Sequence, residues 1–337
     1  MRPTALLLTL GLLLLSPAGR LDAAEGASYL LATASTGGTF YPVGVALGTL
    51  TKIKLEPEHG LSLTAITSAG SAENVRLMRQ GEVRFAILQG IYGDWAWQGE
   101  GPYAKEGSQK YLRSVTTLWP NVEHFVVLAK LAPTGTVADL AGLAGKPFAI
   151  GPRSSGSEGS ARHVLGRLGI DVDAFRLVYV GYDAGAQALR NGTAVGMNTP
   201  AGVPVAAVTA ALATQGGELT VLEVTDEQLR TINGPRPLWS RFVIPAGTYP
   251  GQQREIRTIA QPNFLAVHAD VAEEVVYLLT RTIYENLGFL RGIHKATSAM
   301  SPQAATTGLP VPLHPGALRY YRETGVEVSA ELVPPAP

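Results

Sequence analysis

The sequence of 337 residues contains no cysteine. This absence excludes disulfide bonds, thiolate metal sites, a cysteine nucleophile and a lipid-bearing N-terminal cysteine. It does not fix the cellular compartment, because a chain of this length can bury a large core without disulfides. The length is more than one ordinary core needs and suits two domains.

The chain also lacks an excess of either charge. Lys and Arg together number 27, as do Asp and Glu, and charged residues make up 16% of the sequence. Residues 1–24 contain two arginines and one aspartate, so the remainder has 25 basic and 26 acidic residues. This balance gives no electrostatic basis for binding nucleic acid or an anionic membrane surface.

Apolar stretches long enough to cross a membrane are missing too. The N-terminal run at 6–15 is leucine-rich but too short to span a bilayer comfortably. Arg2 precedes it, and Ala23 and Ala24 offer small residues for cleavage. We predict a secretory signal peptide at 1–24, with an N-terminal anchor helix as the alternative. The mature protein is expected to be exported and soluble.

Several motifs of catalysis and cofactor binding are absent. The histidines, at 59, 124, 163, 268, 294 and 314, show no paired ligand spacing, so no metal site is predicted. Gly145-Lys146 lacks the upstream glycine of a Walker loop, and the glycine-rich turn near residue 37 lacks G-x-G-x-x-G. Ser155 stands where G-x-S-x-G needs its first glycine. We therefore predict no catalytic residue, no cofactor and no enzyme.

What the sequence does contain is a turn rich in Ser, Thr and Gly at 35–42 (STGGTFYP). It follows an apolar run at 29–32 and precedes apolar residues at helical spacing from Val43 to Ile53. Free N–H groups at a helix N-terminus, hydroxyls and the close approach that glycine permits all suit an anion. Taken alone, the stretch is equally compatible with an ordinary βα turn.

The same arrangement recurs in the second half of the chain. A predicted strand at 146–151 leads into 154–160 (SSGSEGS), and a predicted helix follows until Gly169. We call 35–42 the first Ser/Gly turn and 154–160 the second. Two such turns, one in each half, predict an anion held between two domains that close on a hinge. Hydroxyls and backbone amides can hold a carboxylate without an arginine, although arginine binds it more strongly.

The remaining sequence alternates between predicted strands and helices. This alternation predicts α/β domains with parallel or mixed sheets. Thr136 with Asp139, and Thr225 with Gln228, are interpreted as helix caps. The aromatic stretch at 92–103 is interpreted as rich in loops, and the Pro/Gly-rich stretch at 233–262 as the linker that returns to the first domain.

Five stretches together resemble the TAXI-type solute receptors of TRAP transporters: ATASTGGTFYPVGVALGTL, TSAGSAENVRLMRQGEVRFAILQ, GPRSSGSEGSARHVLGRLG, IPAGTYPGQ and PLHPGALRYYRETG. The resemblance implies a type II periplasmic-binding-protein-like fold, with two α/β domains of mixed sheets joined by a hinge. Domain I would comprise 25–122 and 263–337, and domain II 123–262. It also implies a periplasmic receptor that captures a small carboxylate, such as glutamate, glutamine or a 2-oxo acid, and delivers it to an integral membrane TRAP permease.

Carried over by position, the resemblance implies ligand-binding residues in both halves of the chain. They are Thr36, Gly38, Thr39, Phe40, Tyr41, Ser71, Asn74, Gln89, Ser155, Gly156, Ser157, Asn198, Thr199 and Gly202. The sequence departs from the family at 191–197 (NGTAVGM), where relatives usually carry D-G-x-x-D-A, so the identity of the solute is not carried over. Two alternatives remain: a receptor of an ATP-driven importer, and a secreted hydrolase that uses Ser155 or Ser157.

Overall fold

Two mixed β-sheets organise the computed structural model, which describes residues 26–334. The predicted signal peptide at 1–24 lies outside the described residues. Helices pack on both sheets, which confirms the α/β class. The strands are β1 (Ser28–Ala32), β2 (Ser62–Ile66), β3 (Phe85–Gln89), β4 (Leu112–Val122), β5 (Phe125–Leu128), β6 (Pro147–Ala149), β7 (Arg176–Val178), β8 (Gly196–Asn198), β9 (Leu219–Val221), β10 (Ser240–Ile244) and β11 (Ile256–His268).

The first sheet has the strand order β10-β11-β3-β1-β2, and β4 also pairs with β11. The strands β1, β2 and β3 are parallel, whereas β11 runs antiparallel to β10, β3 and β4. The second sheet has the order β7-β6-β8-β5-β9. The chain therefore leaves the first sheet after β4 and returns to it at β10. The predicted domain limits remain a prediction.

Eleven α-helices connect these strands within the described residues. Their apolar spacing explains how they pack: Val43, Leu47 and Leu50 follow one face of the first helix, and all three are buried. The helices are α1 (Phe40–Lys54), α2 (Glu56–His59), α3 (Ser71–Arg79), α4 (Gly90–Gln98), α5 (Gly156–Arg167), α6 (Tyr182–Arg190), α7 (Ala206–Gln215), α8 (Asp226–Asn233), α9 (Glu273–Glu285), α10 (Leu287–Ile293) and α11 (Pro315–Glu323).

Two interpretations of the sequence are wrong. The aromatic stretch begins with α4 instead of a loop, because Tyr92 and Trp95 pack edge to face and Ala96 is fully buried on the same helix. The supposed linker contains β10 and the first half of β11, which pair antiparallel. Proline and glycine around these strands obscured them, and the tertiary pairing stabilises both.

The two predicted helix caps have different outcomes. Thr225 and Gln228 form a full capping box at the start of α8. Thr136 makes no side-chain cap, and the Asp139 carboxylate instead accepts a hydrogen bond from the backbone N–H of Thr134 at 3.1 Å. Between residues 26 and 334, no helix combines the length and the apolar character needed to cross a membrane.

The packing of α11 on α9 leads to a stability prediction. A Cβ atom on Gly316 would lie 2.1 Å from the Glu273 carbonyl oxygen, whereas a Cβ on Gly288 of α10 would have no heavy atom within 4 Å. We expect Gly316→Ala to lower the free energy of unfolding by about 1–3 kcal/mol through overpacking. Gly288→Ala should leave it equal or raise it by up to about 1 kcal/mol. Urea unfolding measures both, and equal stability of the two variants would contradict this packing.

Candidate functional site

A small cleft lies between the two sheets at the ends of β1, β3 and β6. The centre of a water molecule can reach about 30 Å³ of it. Adding the water radius around a roughly spherical space of that size gives a cavity on the order of 150 Å³, about five times the volume of a water molecule in the liquid. The lining residues are Ala34, Ser35, Gly38, Thr39, Phe40, Ala69, Gly70, Ser71, Gln89, Pro152, Gly156, Ser157, Tyr182, Pro200 and Ala201.

Five helices point their N-termini at this cleft. The lining includes the first residue or the N-cap of α1, α3, α4, α5 and α6, each of which has nine or more residues. The first N–H groups of a helix have no partner inside the helix, and its N-terminus carries a partial positive charge of about half an elementary charge. The backbone dipoles of these helices therefore contribute a positive potential to the cleft.

Charged side chains do not contribute to the cleft. None of the fifteen described residues that line it is charged. The polar side chains are hydroxyls and one amide: Ser35, Thr39, Ser71, Ser157 and Gln89. Three carboxylates nevertheless lie close by, because the first turns of α3, α5 and α6 contain Glu73, Glu158 and Asp183. The lining itself offers a ligand neutral hydrogen-bonding groups.

The side-chain oxygen of Gln89 is buried without a hydrogen-bond partner in the described residues. The residue is only 3% exposed, and within the described chain its Oε1 atom has no hydrogen-bond partner. Its backbone N–H donates to the Ser71 hydroxyl at 3.0 Å, which fixes the residue at the end of β3. The amide faces α5, since a Cβ on Gly156 would lie 2.8 Å from it. An unsatisfied buried amide in a cleft indicates a polar ligand or an ordered water.

Hydrogen bonds between the two halves close the cleft. The Thr39 hydroxyl donates to the Gly202 carbonyl and accepts from the Gly202 N–H, both at 3.1 Å. The Tyr92 hydroxyl donates to the Ser155 carbonyl at 3.1 Å. The Glu73 N–H donates to the carbonyl of Ser154, whose φ of 59° is unusual for a residue other than glycine.

The mouth of the cleft is covered by a contact between α6 and the first Ser/Gly turn. The Asp183 carboxylate lies so close to Gly37 that a Cβ there would be 2.4 Å from Oδ1. The Thr36 hydroxyl donates weakly to the same carboxylate at 3.5 Å. Tyr182, the first residue of α6, lines the cleft and donates its hydroxyl to the Pro200 carbonyl at 2.8 Å. Burial raises the pKa of the Tyr182 hydroxyl, which keeps it protonated as a donor.

Half of the residues implied by the family resemblance line the cleft. They are Gly38, Thr39, Phe40, Ser71, Gln89, Gly156 and Ser157. Their role in ligand binding remains a prediction. Residues that the resemblance did not include also line the cleft, among them Ser35 and Tyr182. Ser35 was visible as part of the first Ser/Gly turn, and Tyr182 as the residue before a predicted helix.

Three other residues implied by the resemblance do not line the cleft but hydrogen-bond to the backbone of neighbouring segments. The Asn74 side chain donates to the carbonyls of Thr33 and Ile87 at 2.7 and 2.9 Å, so it joins β1 to β3. The Asn198 side chain donates to the Ser157 carbonyl at 3.0 Å. Ser155 caps α5 by accepting from the Glu158 N–H at 3.1 Å. These contacts hold the lining in place, and a role of the three residues in ligand binding remains a prediction.

The remaining four lie at the edges of the cleft. Thr36 is exposed at the mouth, and Tyr41 is half-buried outside the lining. Thr199 is buried, and its N–H donates to the His124 carbonyl at 3.0 Å. Gly202 contributes its backbone to the Thr39 contact.

The second Ser/Gly turn has no catalytic geometry. The Ser155 hydroxyl accepts from the Glu158 N–H and lies 2.9 Å from the Ser157 hydroxyl. The Glu158 carboxylate accepts from the Ser154 N–H at 2.9 Å and from the Arg162 guanidinium at 3.1 Å, so it stabilises the start of α5. A serine nucleophile needs an adjacent base, and neither serine is hydrogen-bonded to one in residues 26–334.

Comparison with known proteins assigns the chain to a family, since residues 31–325 match the NMT1-like family. The chain belongs to the NMT1-like family. A structure from Bordetella bronchiseptica RB50 is 15% identical over 92% of this chain and 86% of its own, with a TM-score of 0.52. The periplasmic binding protein BugD is 13% identical over 89% of this chain and 94% of its own, with a TM-score of 0.50.

A further similar structure is the alkanesulfonate-binding protein SsuA from Xanthomonas axonopodis pv. citri bound to MOPS. It is 15% identical over 89% of this chain and 92% of its own, with a TM-score of 0.47. The NMT1-like chain has the type II fold of periplasmic solute-binding proteins, which confirms the predicted fold class. At these identities the comparisons show the fold and not the ligand.

The contact between Thr39 and Gly202 leads to a prediction for this NMT1-like protein. Thr39→Val keeps the shape of the side chain but removes the hydroxyl from both hydrogen bonds. We expect it to lower the free energy of unfolding by about 1–3 kcal/mol, because the Gly202 N–H and carbonyl lose their partner while buried. Thr39→Ser keeps the hydroxyl and should lose less than half as much. Urea denaturation of the two variants measures the difference, and equal losses would contradict a role for the hydroxyl.

Proposed function

We propose that this protein is a periplasmic receptor for a small carboxylate solute, such as glutamate, glutamine or a 2-oxo acid. It captures the solute by closing the cleft between its two sheets, with no bond made or broken. The observation that carries the proposal is the convergence of five helix N-termini on a cleft lined by no charged side chain. An anion is the ligand that this potential favours.

The size and the polar lining of the cleft support a small, polar solute. A space on the order of 150 Å³ suits a solute of amino-acid size and excludes a nucleotide or an oligosaccharide. The hydroxyls of Ser71 and Ser157 can donate to a carboxylate, and each lies beside a helix N-terminus. Gln89 adds an amide that can bind the rest of the solute.

The resemblance to TAXI-type receptors supports a more specific proposal about transport. The protein is exported by its signal peptide and delivers the solute to the membrane permease subunits of a TRAP transporter. A receptor for an ATP-driven importer has the same fold, and the cleft does not distinguish the two. A neighbouring gene for a fused membrane permease supports the TRAP proposal, whereas a neighbouring ATPase gene contradicts it.

The test of solute binding is a thermal-shift screen of the mature protein against amino acids, 2-oxo acids, sulfonates and neutral solutes. A carboxylate at one hundred times its Kd should stabilise the protein by roughly 2.7 kcal/mol. The amide or ester of the same solute, which lacks the negative charge, should give a much smaller shift. A panel without any hit, or a hit that binds equally well after the charge is removed, overturns the proposal.

A second prediction tests closure, because Tyr92 of α4 packs against α5. A Cβ on Gly159 would lie 1.9 Å from the Tyr92 hydroxyl, whereas a Cβ on Gly166, on the same helix, would have no heavy atom within 4 Å. Neither residue lines the cleft. We expect Gly159→Ala to raise the Kd of the solute found in the screen by roughly five- to 150-fold, since overpacking costs roughly 1–3 kcal/mol.

The matched control is Gly166→Ala, which should bind the solute like the unmodified protein. Adding Tyr92→Phe to Gly159→Ala removes the hydroxyl that would collide and should restore part of the affinity. Isothermal titration calorimetry gives each Kd. If Gly159→Ala and Gly166→Ala bind alike, the solute does not require the closed contact between α4 and α5.

A further inference from the structure

A fully buried glutamate occupies the first of the two segments that cross between the sheets. Glu123 lies between β4 and β5 and has no exposed surface. Its N–H donates to the Ile259 carbonyl at 2.9 Å, and its carbonyl accepts from the Thr258 hydroxyl at 2.8 Å. Both partners belong to β11 of the first sheet, so the backbone of Glu123 is fixed to that sheet.

The Glu123 carboxyl reaches in the opposite direction, to the second half of the molecule. The Ser160 hydroxyl of α5 donates to Glu123 Oε1. Ser160 lies one helical turn after Ser157, which lines the cleft. A single side chain therefore connects the first sheet to the helix that carries the second Ser/Gly turn.

The surroundings of this carboxyl are polar but incompletely paired. Trp239 and Gln261 of the first sheet side lie next to it and influence its pKa. Trp239 and Gln261 can each donate a side-chain N–H toward the carboxyl, although the geometry of both contacts is imperfect. With Ser160, these donors place the Glu123 carboxyl in a polar pocket between the two halves.

We propose that Glu123 is a positioning residue whose carboxyl, through Ser160, ties α5 to the first sheet, and whose protonation favours the closed cleft. The proposal rests on the proposed cleft closure. The carboxyl is dry in the closed form. The proposal requires that opening the cleft separates Ser160 from Glu123 and admits water to the carboxyl.

The raised pKa of Glu123 supports the proposal that protonation favours closure. Burial raises it from 4.5 to about 7, although the neighbouring donors Ser160, Trp239 and Gln261 lower it. In the open cleft, hydration of the carboxyl would return its pKa toward 4.5. The closed form then binds more protons between pH 4.5 and 7, so closure is favoured as the pH falls and is weakened as it rises through 7. Between pH 8 and pH 6 the ratio of closed to open molecules should rise by up to roughly tenfold.

The other titratable groups around the junction are two histidines and a tyrosine. Burial lowers the pKa of His124 to about 4, and its Nε2 lies 2.8 Å from the Tyr249 hydroxyl. His163 of α5 stacks on Trp239, and burial lowers its pKa, away from the range between pH 7 and 8. Burial raises the pKa of Tyr182, which remains protonated. Of these groups, Glu123 is the one whose pKa is raised into the range between pH 6 and 8.

The experiment measures closure directly and needs no solute. Because the chain has no cysteine, Lys52→Cys and Arg190→Cys place one spin label on α1 and one on α6. Pulsed electron–electron double resonance gives the distribution of distances between them at pH 6 and pH 8. We expect a larger fraction of the short distance at pH 6 than at pH 8.

Three further substitutions in the labelled protein identify the group responsible. Glu123→Gln should remove the dependence on pH and remain closed at pH 8, because the amide mimics the protonated carboxyl. Ser160→Ala should also reduce the dependence, and it tests the tie if Glu123→Gln does not fold. Glu218→Gln, at an exposed glutamate, is the control and should behave like the parent.

Distance distributions that are identical at pH 6 and pH 8 in the parent overturn the proposal. It is also overturned if Glu123→Gln keeps the full dependence. These outcomes do not depend on which solute binds, so they are distinguishable from a failed solute screen. If closure depends on pH but no solute is found, the proposed role of Glu123 stands and the proposed receptor function is rejected.

Discussion

The structure depends on one electrostatic constraint. Several helices have their N-termini, the positive ends of their dipoles, at the same small cleft. The N-termini of α1, α3 and α4 come from the first sheet, and those of α5 and α6 from the second. Like ends of dipoles repel one another, and Glu73, Glu158 and Asp183 in the first turns of α3, α5 and α6 offset part of that repulsion. Under the proposed function, a bound anion would offset more of it and so favour closure.

Neutral hydrogen bonds such as Thr39 to Gly202 and Tyr92 to Ser155 connect the two halves, and each contributes about 0.5–1.5 kcal/mol. Glu123 differs from them because it is buried, ionisable and placed where the chain crosses between the sheets. Under the two proposals, closure responds to a ligand at the N-terminus of α5 and to protonation of Glu123, which Ser160 of the same helix contacts.

The local sequence predicted the two Ser/Gly turns of the site and the helices that begin at them. The two Ser/Gly turns follow strands and begin helices, and this order is readable because glycine, hydroxyls and apolar spacing each leave a signal. Asp183 and Tyr182 were missed because only the tertiary arrangement brings them to the first Ser/Gly turn. Asn74 lies outside the lining and donates to the carbonyls of Thr33 and Ile87, which the local sequence does not reveal, and its role in binding remains a prediction.

The most direct test of the account is a crystal structure of the mature protein with the solute that the screen selects. We expect a closed cleft in which the acidic group of the solute accepts hydrogen bonds at the N-termini of α3 and α5, with Gln89 in contact with another polar group. A solute bound outside this cleft, or one held there without a negative group at those N-termini, would contradict the central claim.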